Sequence, residues 1–543
     1  MRVVAGRSKI ATQYGIVAAS QPLAARAGVQ ILERGGHAVD AAIAANAVMA
    51  LVEPEMNGIG GDLFAIVSES SDTRPHGLNA GGWAPSGLTP ALMKSNGLTE
   101  MPFGGIHTVT VPGAVAGWVA LHQRFGRLPL ADVLAPAIFY AARGFPVSDV
   151  IAARWAQWTD KLSADANAAA TYLPDGRAPR SGELFVNRDL ARTLQRIAAD
   201  GASGFYEGAT AAAILACSQA HGGTMTAEDL RDFEVEWVAP IATTYREWRV
   251  YEIPPNTQGI AALIMLDLME QFPLHDYGFG DARSLHVMIE AKKLAYADML
   301  RYVGDPKFAD IPLPALLDKA AAKVRSRLIR PDAAAARVKP SIVDSVTTRH
   351  GGDTIYLAAI DRDGNVVSLI QSIYQGFGSG LVPAGTGFAL QNRGALFTLD
   401  EHHPNVLAPR KRPLHTIIPG FMQKGDLRIG FGIMGAWNQA QAHAQFVANI
   451  VDYGMDIQEA LEAPRFTKST FDGVDVSLEA SIPESARTEL TRLGHDVTVV
   501  PLRSGVFGSG QAVMSNDATG VHFGASEPRH DGAAIPEAPP IFG

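Results

Sequence analysis

The sequence predicts a layered α/β fold, and three observations predict it. Short β-rich runs such as Leu63–Val67 intermix with helical stretches such as Ala114–Gln123, Leu130–Arg143 and Arg283–Tyr302, without a regular strand–helix–strand beat. The two clearest strands, 353–360 and 366–373, are nearly continuous in apolar residues, as strands covered on both faces are. A composition 47% hydrophobic and only 19% charged over 543 residues suits one large, extensively buried body.

The first elements show how the pattern builds. Ser20 is the predicted N-cap of a helix whose first turn holds Pro22. Leu23, Ala27 and Ile31 recur at four-residue spacing and give it a buried stripe, while Gly35-Gly36 ends it. Asp40 is the predicted cap of a second helix running from Ala41 to about Val52, whose alanines admit close neighbours. Gly58-Ile-Gly-Gly-Asp62 reads as a structural turn. It misses the dinucleotide pattern at Leu63, and no lysine follows to make a phosphate loop.

A net charge of −9 argues against nucleic acid or an anionic membrane surface as partner. No apolar run reaches the roughly 20 residues of a membrane span. With no apolar run of signal length near Met1, the cytoplasm is the expected compartment. The single cysteine, Cys217, allows no internal disulfide and reads as a small core residue. His402-His403 beside Glu401 is not spaced as a metal site, so no metal and no cofactor is expected. The basic run Arg410-Lys411-Arg412 reads as solvated or salt-bridged surface, with the drawing-in of an anionic substrate as the alternative.

The chemistry gathers further along. Residues 330–352 form a polar, Ala-rich connection that contains Pro340 and ends in Arg349-His350-Gly351-Gly352. A strand, Asp353 to Ile360, follows at once. Asp361-Arg-Asp-Gly-Asn365 turns it into a second strand, Val366 to Ile373. A three-residue loop pairs Asp361 with Asn365 and carries Thr354 opposite Ser372; a two-residue loop moves the partner to Ile373. On its own, a Thr–Ser cross-strand pair is ordinary sheet packing. Here, however, an exposed connection runs straight into a buried strand whose second residue is Thr354, as a self-cleaving junction requires. The threonine hydroxyl attacks the carbonyl of Asp353, the amide becomes an ester, and water frees an α-amine. That amine, with an intrinsic pKa near 8, can serve as base to its own hydroxyl. Thr347-Thr348, just upstream, lies in the connection and lacks a strand partner.

Motifs over nearly the whole chain resemble the γ-glutamyltranspeptidase family. They include Ala38-Val-Asp-Ala-Ala42, Val52-Glu-Pro54, Gly58-Ile-Gly-Gly-Asp62, Val111-Pro-Gly-Ala-Val-Ala-Gly117, Gly222-Gly-Thr-Met-Thr-Ala-Glu-Asp-Leu230, Lys411-Arg-Pro413, Ala463-Pro-Arg-Phe466 and Gly524-Ala-Ser-Glu-Pro-Arg529. Each is weak alone, but their joint order is specific. The resemblance implies an αββα sandwich of the N-terminal nucleophile hydrolase type. It also implies self-cleavage into a large segment, 1–353, and a small one, 354–543, that stay associated as one globular unit. By position, Thr354 takes the place of the nucleophile and Ser372 that of a second hydroxyl that holds it. Gly435-Ala436 takes the place of a Gly-Gly pair whose N–H groups form the oxyanion hole; Ala keeps the donor if it can adopt the backbone angles.

The departures bear on substrate. Polar residues that hold a γ-glutamyl group in the family's typical transpeptidases become Pro90, Tyr374, Arg393, Leu396 and His415-Thr416, and the loop from Phe397 to Pro413 is shorter than their lid. Loss of the acid that meets an ammonium, with gain of Arg393, favours an acyl group bearing a carboxylate and no amine. Arg393, Tyr374, His415 and Thr416 are therefore the substrate-binding candidates, and Trp437 reads as pocket wall. The run Leu390–Phe397 with His415-Thr416 resembles a branch that includes oxamate amidohydrolases. The expected partner is a small amide substrate, and the sequence leaves a homo-oligomer open. A γ-glutamyl hydrolase or transferase acting on glutathione-like donors and a non-catalytic binding protein are the competing expectations.

Overall fold

A computed structural model describes residues 5–341 and 353–540. Thr347, Thr348 and Arg349-His350-Gly351-Gly352 lie outside the described residues.

Two seven-stranded sheets, antiparallel between all neighbours, form the centre. The first runs Ile10–Thr12, Val521–Ser526, Gly510–Asn516, Leu427–Ile433, Gly420–Lys424, Trp248–Glu252, Ile241–Tyr245. The second runs Ala533–Pro536, Ile16–Ala19, Asp353–Ile360, Val366–Tyr374, Asp62–Ser68, His76–Ala80, Glu236–Val238. The sheets pack face to face, Asp353–Ile360 lying against Gly510–Asn516 and Leu427–Ile433. Helices Pro22–Glu33, Ala38–Val52 and Ala114–Phe125 cover the second sheet; Gly259–Met269 and Asn438–Val451 lie over the first, with Ala282–Tyr302 packed on Gly259–Met269. The result is the expected αββα sandwich.

The strand Asp353–Ile360 shows why an unbroken apolar run is needed. It is sandwiched between a helix layer and the other sheet, and Ile355 to Ile360 are all fully buried. At about 1.5–3 kcal/mol for each large aliphatic side chain removed from water, these residues fix the strand's place in the middle of its sheet. Its neighbours are Ile16–Ala19 on one side and Val366–Tyr374 on the other, the latter bonded in turn to Asp62–Ser68. Strands from before and after position 354 thus interleave in both sheets.

Two helix starts differ from expectation. Gln21, not Ser20, caps the first helix, its side chain accepting from Leu23 and Ala24 N–H. The Ser20 hydroxyl is drawn instead to buried Glu53 at 2.8 Å. The second helix starts at Ala38, capped by His37, and Asp40 completes a capping box from inside the first turn. The glycine turn at 58–62 is structural in detail: a Cβ on Gly61 would stand 2.3 Å from the Ser372 carbonyl oxygen, and one on Gly60 would stand 2.2 Å from that of Ala389.

Candidate active site

The hairpin register follows the three-residue loop from Ile360↔Val366 to Ile355↔Gln371. At the next step it slips, because Asp353 pairs with Tyr374. Thr354 therefore stands opposite two residues, Ser372 and Ile373, across a β-bulge. Both counted partners are realised together. The cause is local: Ser372 Oγ accepts the N–H of Tyr374 at 2.8 Å, and Tyr374 takes a left-handed φ of 79°.

Thr354 is 1% exposed, and its Oγ1 accepts a hydrogen bond from Gln439 Nε2 at 3.3 Å. The other end of that amide, Oε1, accepts from Ile418 N–H at 3.1 Å, which fixes the end that faces Thr354. Gln439 sits in the first turn of the helix Asn438–Val451, just after the turn Gly435-Ala436-Trp437. That turn is wound left-handed, with φ 119° at Gly435 and 50° at Ala436. Ala436 thus adopts angles an L-residue reaches at a cost of about 1–2 kcal/mol. The turn is pinned from behind by Gln258, whose Nε2 donates to the carbonyl of Ala436 at 2.7 Å and to that of Thr416. Among the described residues, no acceptor takes the N–H of Gly435 or Ala436.

Arg393 holds the other flank. It is fully buried, with Nη2 donating to Ser372 Oγ at 2.9 Å and Nη1 to Thr416 Oγ1 at 2.7 Å. Its guanidinium lies 4.5 Å from the centre of the Tyr374 ring, and Nε has no partner among the described residues. Burial draws the guanidinium down to about 10, against the upward pull of Asp62 and Tyr374, so it is a cation at neutral pH. Burial raises the Tyr374 phenol to about 12, with Arg393 opposing, and its hydroxyl has no partner among the described residues.

His415 and Thr416 lie behind Arg393 and line neither neighbouring cavity. Both ring nitrogens of His415 are used: Nε2 meets Asp62 Oδ2 at 3.0 Å, and Nδ1 accepts Ile417 N–H at 3.3 Å. Burial first, then the charge of Arg393, push its pKa down to about 3 despite the Asp62 contact. The ring is neutral with its proton on Nε2, an orienting group rather than an acid. Asp62 also accepts from Gly82 N–H and Gln391 Nε2, each at 2.8 Å.

Two cavities flank the site, and Trp437 lines both. One, about 380 Å³, has Tyr374, Leu396, Phe397, Met101 and Phe103 in its wall. The other, about 750 Å³, contains Gly435 and Ala436. Trp437 is thus pocket wall, and Thr354 itself opens onto neither cavity.

Other candidates resolve simply. Cys217 is buried in the helix Gly208–Ala220. Arg412 is buried against Glu236 and the carbonyl of Gly81, and Arg410 pairs with Asp232 at 2.9 Å, so the basic run holds loops together. His403 bonds to the Leu300 carbonyl and to Asn405 N–H. Among the described residues, His286, Glu290 and His495 are grouped closely enough to hold a cation, but the Lys293 ammonium already sits against Glu290. Asp62, Gln258 and Gln439 are functional candidates that sequence reasoning missed. Asp62 lay in a turn read as structural, and the two glutamines carry no local motif.

The sequence model of the family described as Gamma-glutamyltranspeptidase matches residues 24–537. The chain is 38% identical to the glutathione hydrolase-like YwrD proenzyme of Bacillus subtilis (strain 168), over 97% of this chain and 99% of that one. It is 34% identical to the oxamate amidohydrolase proenzyme of Klebsiella pneumoniae subsp. pneumoniae, over 96% and 98%. Among solved structures, a cephalosporin acylase from Bacillus halodurans is similar throughout, with 41% identity, a TM-score of 0.89 and 98% of each chain covered. Sandwich, site and matches along nearly the full length agree: the chain belongs to the γ-glutamyltranspeptidase family of N-terminal nucleophile hydrolases.

Proposed function

We propose that the protein is a self-cleaving amidohydrolase that forms its acyl-enzyme on Thr354 and acts on a small amide whose acyl half carries a carboxylate. In maturation, Thr354 Oγ1 attacks the carbonyl carbon of Asp353, the C–N bond breaks, and water hydrolyses the resulting ester. The products are segments 1–353 and 354–543, held together by their interleaved strands. In turnover the freed α-amine takes the hydroxyl proton as Oγ1 attacks the substrate carbonyl. The Gly435 and Ala436 N–H groups receive the oxyanion. The proton passes to the departing nitrogen, and water then cleaves the acyl-enzyme to release the acid. Gln439 and Ser372 position the hydroxyl.

The observation that carries the substrate reading is Arg393. Among the described residues, this fully buried guanidinium hydrogen-bonds only to two neutral hydroxyls, its Nε has no partner, and it lacks the directly paired anion that buried cations normally keep. An acyl carboxylate supplies it. The 34% identical oxamate amidohydrolase supports the short acyl chain. Met101, Phe103, Leu396 and Phe397 in the mixed wall of the smaller cavity favour a second reading within the same class, with methylene groups between carboxylate and scissile carbonyl.

The test begins with a denaturing gel and the N-terminal sequence of the smaller band. Thr-Ile-Tyr-Leu is expected, and a chain that stays whole on long incubation would favour a non-catalytic binding protein. The processed enzyme is then assayed on oxamate, succinamate and glutaramate, on acetamide, and on glutathione. Hydrolysis of the carboxylate-bearing amides over acetamide is expected. Preference for glutathione would instead make the protein a γ-glutamyl hydrolase or transferase.

A further inference from the structure

One amide joins the two flanks of the site. Gln258, fully buried, is the N-cap residue of the helix Gly259–Met269. Its Nε2 donates to two carbonyls at once, that of Ala436 at 2.7 Å and that of Thr416. Ala436 belongs to the left-handed turn that receives the oxyanion in the proposed reaction. Thr416 carries the hydroxyl that takes Arg393 Nη1 at 2.7 Å. Turned over, the Gln258 amide would set Oε1 against two carbonyl oxygens, so only one orientation serves. The backbone beneath it is held as well. Gln258 N–H donates to the His415 carbonyl at 2.9 Å, His415 N–H to that of Asn256 at 2.8 Å, and Asn256 Nδ2 to that of Pro413 at 2.7 Å. Residues 256–258 and 413–416 are thus laced together, and the Gln258 side chain ties the turn to them. The Ala436 carbonyl also accepts Gln439 N–H at 3.2 Å, so loss of Gln258 would free the turn to shift without leaving that carbonyl unpaired.

We infer that Gln258 is a positioning residue that sets the span between the Arg393–Thr416 clamp and the Gly435-Ala436 turn, and thereby selects the length of the acyl chain. The inference rests on the proposed function, which puts the acyl carboxylate at Arg393 and the scissile carbonyl oxygen at the turn. A carboxylate held at one fixed end and a carbonyl oxygen held at the other suit one chain length. An added methylene must buckle or push one end off its donors, and a misplacement of about 1 Å at the reacting carbon can cost on the order of a hundredfold in rate. Gln258 touches neither Thr354 nor the substrate in this arrangement. It acts through two carbonyls, one on each flank.

The experiment holds the amine fixed and varies the acyl chain. Processed enzyme is assayed on oxamate, malonamate, succinamate and glutaramate, and kcat/KM is read as a profile over length. Rates within one preparation are compared only with each other, so a partly misfolded sample does not distort the profile. Wild type is expected to favour one length over its neighbours by about tenfold or more. Gln258→Met keeps the bulk and loses both donors. It should bring that ratio to within about threefold, chiefly by lowering kcat on the best substrate. Gln258→Glu, whose buried acid stays protonated between two carbonyls and donates one bond, should keep part of the preference. A profile unchanged in Gln258→Met would overturn the inference, as would a wild type indifferent to length. If Gln258→Met does not process itself, Gln258→Glu decides, and an unchanged profile there overturns the inference equally. Failure of the underlying reading looks different. Wild type would then hydrolyse none of the four, or Arg393→Met would leave the rates as they were, and both readings would fall together. A profile that depends on Arg393 but not on Gln258 would overturn this inference alone.

Discussion

Gln439 donates to the hydroxyl of Thr354 across 3.3 Å, from the first turn of one sheet's covering helix to the start of the other sheet's central strand. Because its Oε1 is held by Ile418 N–H, the amide presents only a donor to Thr354. Gln439→Met removes that donor without removing bulk. Self-cleavage and kcat are both expected to fall about tenfold, the worth of one hydrogen bond, with KM little changed. Band appearance on a gel and steady-state kinetics measure both. A change confined to KM would rule out a positioning role.

Ala436 makes a prediction of opposite sign for two substitutions. At φ 50° it carries left-handed strain that glycine would not, so Ala436→Gly should raise stability by up to about 1 kcal/mol. A β-branched residue there is worse placed, and Ala436→Val should lower stability by about 1–3 kcal/mol and slow turnover by displacing the Ala436 N–H. Thermal unfolding of the pair, with kcat, decides.

His415 predicts acid sensitivity of a defined kind. Its folded pKa, about 3, lies below the unfolded value near 6.5, so the unfolded chain takes up a proton first as pH falls. The stability linked to this group is therefore complete above pH 6.5 and is lost as pH drops from 6.5 toward 3, at up to about 1.4 kcal/mol per pH unit. His415→Gln removes the titration. Urea unfolding of both proteins from pH 7 to 4 should show the wild type losing stability faster by that slope. His495 and His530, also held near 3, are present in both proteins and cancel. Parallel curves would mean that His415 is protonated in the fold.

Cys217 should be inert in the native protein. Burial raises its thiol to about 11, so at pH 8 well under 1% is thiolate, roughly a thousandth by the three-unit gap. A thiol reagent is expected to react slowly with folded protein and to count one thiol at once in denaturant. Fast native labelling would show that the helix Gly208–Ala220 opens readily.

Much of the fold was legible because its signals are local. Turn chemistry at Asp361–Asn365 and unbroken apolar runs give the hairpin and its register, since a two-residue period and a fixed loop leave few alternatives. The helix Leu130–Arg143 falls on its predicted bounds. The cap at Ser20 was misread for a non-local reason: its hydroxyl is claimed by Glu53, 33 residues away, and Gln21 takes over the cap. The bulge at Thr354 was equally hidden, because it depends on the Ser372 hydroxyl capturing the Tyr374 N–H.

The sequence by itself determined the family, the layered architecture and Thr354 as the candidate nucleophile, because ordered motifs and strand periodicity are written along the chain. Only the tertiary structure decided which groups surround Thr354. Gln439 reaches it, and Arg393 reaches Ser372 across the bulge, from separate segments, while His415 is turned away to hold Asp62. The physical reason is burial. Once the two sheets close, polar groups trapped between them pair with whatever lies nearest in space, which no spacing along the chain records.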